Sequence, residues 1–495
     1  MKKKSNSQNT SVYRKQCIEI RTVFEKASSP RKVLCVAMDY AKKKHVALFC
    51  DGLGDILKKP FPVENNPEGV DFLCKEIQAT CSRRKIKKET VFIGGEDEPP
   101  YIANFTSALT KIGFLVVRVN AKEAAKQREN LLASTDNLDL LGISKCLLNR
   151  RASPVSCADK QDPIYAELRE ITRQRRIYVK QQTGTSNRIH AIADQLFPGF
   201  LDASKSGVTP FTACSLHLMK TRFSSTHFSR KKQSSLAKTL SLQGLHNPDE
   251  KAFKIIELAK NSLPPDPDKI NSLQLKLKGL VDLYECLQTN ANNLRHEAAT
   301  TLARTPYVML TTMPGISFVL ASGIASELGD PRFLAPTGSL CAYAGIVPAI
   351  TQTGGPDSAA IHLSTRRRCN HILKDWIVQG SQKIGLCGPE ELKAKFSRRN
   401  ANDQHAAFAG ARTLLRISRN LVTNEIPYLS PVARDKNATE AERIQGYLEM
   451  WKKLVAKWRT IPGWQQILSD ENHPVGFWRR VVKELYQIDL PMRHE

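Results

Sequence analysis

Four carboxylates in the first 140 residues, Asp39, Glu96, Asp136 and Asp139, have the type and spacing to share chemistry. Asp39 directly follows the apolar run Lys32–Met38, and Glu96 follows Thr90–Ile93, so both are expected to emerge at strand ends in neighbouring parts of one sheet. Asp136 and Asp139 are three apart at the start of a helical pattern and share a face. Four carboxylates in one cleft repel one another and cannot all stay ionised unless cations neutralise them. Oxygen ligands without His or Cys point to Mg²⁺ or Mn²⁺. Two such ions about 4 Å apart would orient an in-line attack on a phosphodiester. Each acid also has a plain structural alternative: a helix cap for Asp136, a turn residue for Asp39, and a surface acid beside Asp97 and Glu98 for Glu96.

The elements that must position these acids can be read from periodicity. Lys32–Met38 and His45–Cys50 read as strands, with Asp51-Gly52 suited to a tight turn just after the second. Asp55–Val63 can supply a third strand, pushed toward an edge by Pro60 and Pro62. A helix is expected over Pro67–Cys81, a strand over Thr90–Ile93, a helix over Tyr101–Ile112, a strand over Phe114–Val119 and a helix over Leu138–Leu148. Three strands followed by alternating helices and strands is the order of a ribonuclease-H-like α/β domain.

Beyond it the pattern becomes helical. Residues 164–196 form one long helix, and Ile270 to Ala298 alternate apolar spacings of three and four over four heptads, a coiled-coil seam. An intrachain antiparallel pairing of these two helices and a seam between subunits are both open. Residues 202–266, rich in Ser and Lys and ending at Pro264-Pro265, read as a basic insertion, partly ordered at best. From Tyr307 short helices are broken by glycines. Residues 390–495 hold four of the five tryptophans and read as a packed helical extension without chemistry. The expected organisation is a basic leader (1–31), an α/β domain (32–155), a helical linker (156–300), a mainly α catalytic domain (301–385) and an extension (386–495).

Composition bounds the partners. Against 48 Asp and Glu stand 74 Lys and Arg, a net charge of +26 spread along the chain, which suits a polyanion. The twelve cysteines include no Cys-x-x-Cys pair, which disfavours zinc ribbons and disulfide scaffolds. No apolar run approaches the ~18 residues that span a bilayer, so no membrane partner is expected and the cytoplasm, near the nucleoid, is the expected location.

At this point the chain resembles a known family, the DEDD transposases of insertion sequence family one-ten, together with related site-specific DNA invertases. Val36-Ala37-Met38-Asp39 resembles the family's strand–Asp segment, Glu96 to Tyr101 its Glu-x-x-x-x-Tyr segment, and Thr135-Asp136-Asn137-Leu138-Asp139 its Thr-Asp-x-x-Asp segment. Leu168 to Arg176 resembles the basic start of its linker helix, while Met313-Pro314-Gly315-Ile316, Phe333 and Ala342 to Pro348 resemble its C-terminal domain. The resemblance implies a RuvC-like domain holding Mg²⁺ or Mn²⁺ on Asp39, Glu96, Asp136 and Asp139. It also implies a C-terminal serine that attacks DNA to form a covalent link, a structured guide RNA as partner beside DNA, and assembly as a dimer or tetramer.

Where the family has Ser-Gly-Gly, this chain has Thr353-Gly354-Gly355. Thr353 offers the same hydroxyl with a methyl that narrows its rotamers. Ser358 and Ser364 are nearby alternatives, and a loop residue without chemistry is another. Pro314 and Gly315 are expected to open a helix whose N–H groups bind phosphate, the alternative being an ordinary Pro-capped helix. Arg366, Arg367 and Arg368 are candidates for backbone contacts or a merely solvated face. The function so implied is RNA-guided DNA cleavage and rejoining. A water-using, structure-selective nuclease and a non-catalytic nucleic-acid-binding descendant remain alternatives.

Overall fold

A computed structural model describes residues 17–96, 102–127, 136–154, 162–347, 349–352, 359–362, 369–387 and 404–492. Met1–Asp162 and Pro163–Glu495 form two compact units.

The first unit is built on a six-stranded sheet of order β3-β2-β1-β4-β5-β6. Strands β1 (Leu34–Asp39), β2 (Lys44–Asp51) and β3 (Ile56–Glu64) pair antiparallel. β1 runs parallel to β4 (Val91–Glu96), β4 parallel to β5 (Leu115–Val119), and β6 (Ser153–Pro154) closes the far edge antiparallel. β1 is a continuous apolar run because both of its faces are covered. Leu34, Val36 and Met38 join Val70, Leu73 and Ile77 of α2 (Pro67–Arg84) and Phe105 and Leu109 of α3 (Ala103–Lys111). Cys35 and Ala37 face the other way, toward Ile20 and Val23 of α1 (Ile18–Lys26), Ala124 of α4 (Ala121–Lys126), and Leu140, Ile143 and Leu147 of α5 (Asp136–Leu148). The Pro-containing β3 does lie at an edge, where a missing N–H costs no ladder bond. Residues 18–26 of the expected basic leader are helical because two of their side chains are spent on this core.

In the second unit, α6 (Ile164–Leu196) and α12 (Ile270–Ala303) pack antiparallel within the chain. Thr172 and Arg175 lie opposite Ala298, Gln182 bonds Tyr284, and Ile189 and Ala193 share a core with Leu277 and Val281. The heptad positions Leu277, Leu287, Ala291 and Ala298 are thus buried by the chain itself.

The insertion between these helices is folded, contrary to the expectation of partial order. It forms α7 (Ala203–Ser206), α8 (Ala213–Lys220), α9 (Ser225–Ser229), α10 (Gln233–Leu242) and α11 (Pro248–Asn261). Phe197, Phe200, Phe223 and Phe228 cluster with ring centroids 4.9–6.4 Å apart and close a core with Leu236, Leu240 and Ile255. Four clustered rings bury enough apolar surface to outweigh a Ser- and Lys-rich composition.

A single 3₁₀ segment, Pro306–Thr312, leads into α13 (Phe318–Leu328), then α14 (Thr337–Tyr343), the hairpin β7 (Ala349–Gln352) and β8 (Ala359–His362), and α15 (His371–Cys387). Helices Gln404–Thr423, Glu440–Trp458 and Pro474–Tyr486 follow. Trp451 and Trp458 are fully buried in one core with Tyr307, Met313, Ile324 and Ile377, so the C-terminal helices complete the packing of the region before them. No helix among the described residues is long and apolar enough to cross a membrane.

Candidate active site

The first unit brings two of the four expected carboxylates to one end of one face, and a third lies on the helix that covers that face. Met38 pairs with Gly95, so Asp39 and Glu96 each stand one position further along adjacent parallel strands, about 4.8 Å apart in the sheet. Side chains alternate faces along a strand. Asp39 therefore follows Cys35 and Ala37, and Glu96 follows Phe92, onto the face covered by α5. Both are half-buried. The pair Gly94-Gly95 permits this packing: a Cβ on Gly94 would lie 2.4 Å from Leu147, and one on Gly95 2.2 Å from the Tyr40 ring.

Asp139 lies one helical turn before Ile143, on the buried side of α5. Leu147 touches Gly94, in register with Ala37, and Leu148 lies by Gly54. Burial pushes the Cys146 thiol on the same helix up to about 11, with the charges of Glu123 and, less, Glu96 adding to it. Asp136 begins α5 as expected, and its side chain lies outside the described residues.

The donor set is oxygen only, at a half-buried mouth, which suits a hard divalent cation. Among the described residues no three acidic, His or Cys side chains already converge as a ligand group.

In the second unit, Pro314 and Gly315 do not open a helix. They form a turn between the 3₁₀ segment and α13, which starts at Phe318 behind an N-cap: Ser317 Oγ accepts from Leu320 N at 3.4 Å. Gly315 adopts φ +80°, and a Cβ there would lie 2.9 Å from the Lys383 carbonyl, so its glycine serves close packing on α15. The N–H groups of Ser317, Phe318 and Val319 donate to no other described residue.

Two arginines flank that helix start. Arg295 of α12 lies over the Phe318 ring, 4.9 Å from its centroid. Arg175 of α6 lines a small cleft with Thr172, Val319, Ser322 and Trp376, and its buried Nε has no hydrogen-bond acceptor. Burial and then the like charge of Arg295 lower the affinity of Arg175 for its proton. Neighbouring arginines on α6 are differently placed: Arg169 donates to the Ser326 carbonyl at 2.7 Å, and Arg176 pairs with Asp375.

Arg173 makes a bidentate pair with Glu327, at 2.8 and 2.9 Å, and Asn370 Nδ2 donates to the same carboxylate at 2.7 Å and to the Tyr343 hydroxyl at 2.9 Å. Burial pushes the Glu327 carboxyl up, but Arg173 and Asn370 outweigh it and hold the group below its ordinary value. Asn370 Oδ1 also accepts from Leu373 N, capping α15. The network fixes the start of α15.

Thr353, Gly354, Gly355, Ser358, Ser364, Arg366, Arg367 and Arg368 lie outside the described residues. Glu327, Arg175 and Arg295 were not singled out by sequence reasoning. Arg173 lies 154 residues before Glu327, and the Phe318 ring 23 residues after Arg295, so nothing local marks them.

Two family models match. A transposase model of the DEDD type of IS110 covers residues 36–198, and the model described as transposase IS116/IS110/IS902 family covers residues 307–410. The two together span more than half of the chain and include Asp39, Glu96, Asp136, Asp139, the Pro314-Gly315 turn and Thr353. The chain is thus a transposase. The chain is a member of the IS110 family. No curated protein matches it.

Proposed function

We propose that this transposase cuts and rejoins DNA strands with Asp39, Glu96, Asp136 and Asp139 holding Mg²⁺ or Mn²⁺ and with Thr353 as nucleophile. The observation that carries the reading is the common face and common end of Asp39 and Glu96, under the helix that carries Asp139. The strand order, with three antiparallel strands continued by two parallel ones, supports a ribonuclease-H-like, RuvC-like assignment for this unit. Bound divalent ions would neutralise the carboxylates and the charge that develops on the phosphate.

The chain's own residues supply the rest. The carboxylates fix ligand direction from rigid strand ends and a helix start. Thr353 Oγ1 would form a bond to a DNA phosphorus as the bond to a sugar oxygen breaks, the hydroxyl proton passing to a base and the departing oxygen gaining one. The ester conserves the phosphodiester for rejoining by another strand end. Thr353 stands after the last pair of the β7–β8 hairpin, with Gly354 and Gly355 beside it. A structured guide RNA, assembly as a dimer or tetramer, and work at the nucleoid in the cytoplasm complete the reading, supported by the net charge of +26.

Trapping the reaction with denaturant and mapping the DNA-linked peptide tests it. A Thr353 adduct, absent in Thr353→Ala and retained in Thr353→Ser, is the expected result. An adduct on Ser358 or Ser364 would move the nucleophile, and cutting without any adduct would mean hydrolysis by water.

A further inference from the structure

Helices α7 to α11 of the insertion lie outside both family matches, which cover residues 36–198 and 307–410. Their sequence has a one-sided charge: from Ala203 to Pro248 there are seven Lys and Arg and no Asp or Glu. Two of the seven are neutralised from outside this run. Lys205 pairs with Asp202 at 3.7 Å, and Lys220 pairs with Asp282 of α12 at 2.8 Å and also with Glu285. The other five, Arg222, Arg230, Lys231, Lys232 and Lys238, make no ion pair with a described residue, and all but the half-buried Lys231 are exposed.

Four of these five cations flank α9, and the phenylalanine core holds that segment in place. Phe223 and Phe228 are fully buried. Arg222 directly precedes the first ring, and Lys231 Nζ lies 5.6 Å from the centroid of the second. His227 shows that the two ends of the segment meet: burial, then the charge of Lys231, then that of Arg222 lower its affinity for a proton, so cations from before and after α9 act on one imidazole. The backbone between them is pinned by Ser224, whose Oγ accepts from His227 N at 3.2 Å. Like charges held this close repel one another. With no carboxylate in the run to neutralise them, the partner that fits is a polyanion, which gains by releasing its own counterions.

We propose that the segment from Arg222 to Lys232 is a docking surface for the phosphate backbone of duplex DNA, which adds affinity without reading sequence. The proposal rests on the reading above that this chain works on DNA. A duplex is the polyanion that a transposase must hold, and cations fixed on a packed core lose little freedom when they meet its regularly spaced phosphates. The insertion thereby gains a task of its own, in a part of the sequence that carries neither the carboxylates nor Thr353.

The experiment measures affinity of the full chain for a short labelled DNA duplex over a range of salt concentrations. Combining Arg230→Gln, Lys231→Gln and Lys232→Gln should weaken binding about tenfold and lower the slope of log affinity against log salt by about two to three, alike on duplexes of unrelated sequence. Arg222→Gln alone should lower the slope by about one. The same change of charge at three exposed cations of the first unit, Arg83→Gln, Arg84→Gln and Lys111→Gln, should cost much less. Wild-type affinity and slope in the combined variant would overturn the proposal, as would an equal loss in the first-unit control. A loss confined to a structured RNA, with duplex DNA bound as before, would overturn the choice of DNA. If the combined variant does not fold, Arg222→Gln and Arg230→Gln, both at exposed positions, decide by the same slope. Binding is read without cleavage, so a wild type that binds duplex through this surface but cuts none would strike the proposed function and leave this inference standing.

Discussion

Asp39 and Glu96 end two adjacent parallel strands at the same level and face the helix that carries Asp139. Like charges at neighbouring strand ends repel one another. Asp39→Asn should therefore raise the melting temperature by about 2–5 °C in chelator while abolishing strand cleavage. Scanning calorimetry checks the first part, and a fall in melting temperature would show that Asp39 is a structural residue.

The Arg173–Glu327 pair should hold the second unit together. Glu327→Gln keeps the shape and leaves Asn370 an acceptor but removes the charge opposite Arg173, whose side chain is 44% exposed and can rehydrate. A loss of about 1–3 kcal/mol in urea unfolding is expected. Because Glu327 sits below its ordinary value, its contribution is present above pH 4.5 and fades as pH falls through the folded value. The variant and wild type should accordingly converge in stability toward strong acid, a trend that urea titrations at several pH values would reveal or deny.

Arg175 should serve binding at no benefit to stability. Arg175→Met removes a buried Nε that has no acceptor. Stability should hold or rise by about 1 kcal/mol, while DNA affinity falls about tenfold and the slope of log affinity against log salt drops by about one. Unchanged affinity and slope would return Arg175 to a packing role.

Lys457 makes stability depend on pH at the alkaline end. Burial, and then the charge of Lys453, lower its ammonium to about 8 from the ordinary 10.5, so between these values the unfolded chain binds more protons and stability rises with pH. Lys457→Met removes this group, and the curve of melting temperature against pH should flatten between pH 8 and 10.5. A variant that keeps the wild-type slope would assign the titration to another residue.

Much of the first unit was legible in sequence because its signals are local. Val36 to Met38 before Asp39, and Val91 to Ile93 ahead of Glu96, announce buried strands, and the helical spacing after Asp136 is unbroken. Asn66, Pro67 and the left-handed Lys85 bound α2 by the usual capping chemistry, at the end beyond the periodic residues. The rest depends on distance. Phe197, Phe200, Phe223 and Phe228 have no regular spacing, so the insertion's core appears only once the chain returns on itself. Pro314 suggested a helix start, whereas Gly315 is held by the backbone of α15 and the helix waits for Ser317. Lys457 is one lysine among many until its carbonyl partners on Thr311, Met313 and Ile316 are known.

The central claim, that the carboxylates hold the catalytic divalent ion, is tested most directly by a change of ligand softness. Asp39→Cys puts a thiolate where a hard oxygen stood, and a thiolate prefers Mn²⁺ or Cd²⁺ over Mg²⁺. Strand cleavage by this variant should vanish in Mg²⁺ and return in part in Mn²⁺ or Cd²⁺, with DNA binding unchanged throughout. Cleavage in Mg²⁺ at the wild-type rate would contradict the account, because Asp39 would then hold no metal that the reaction needs.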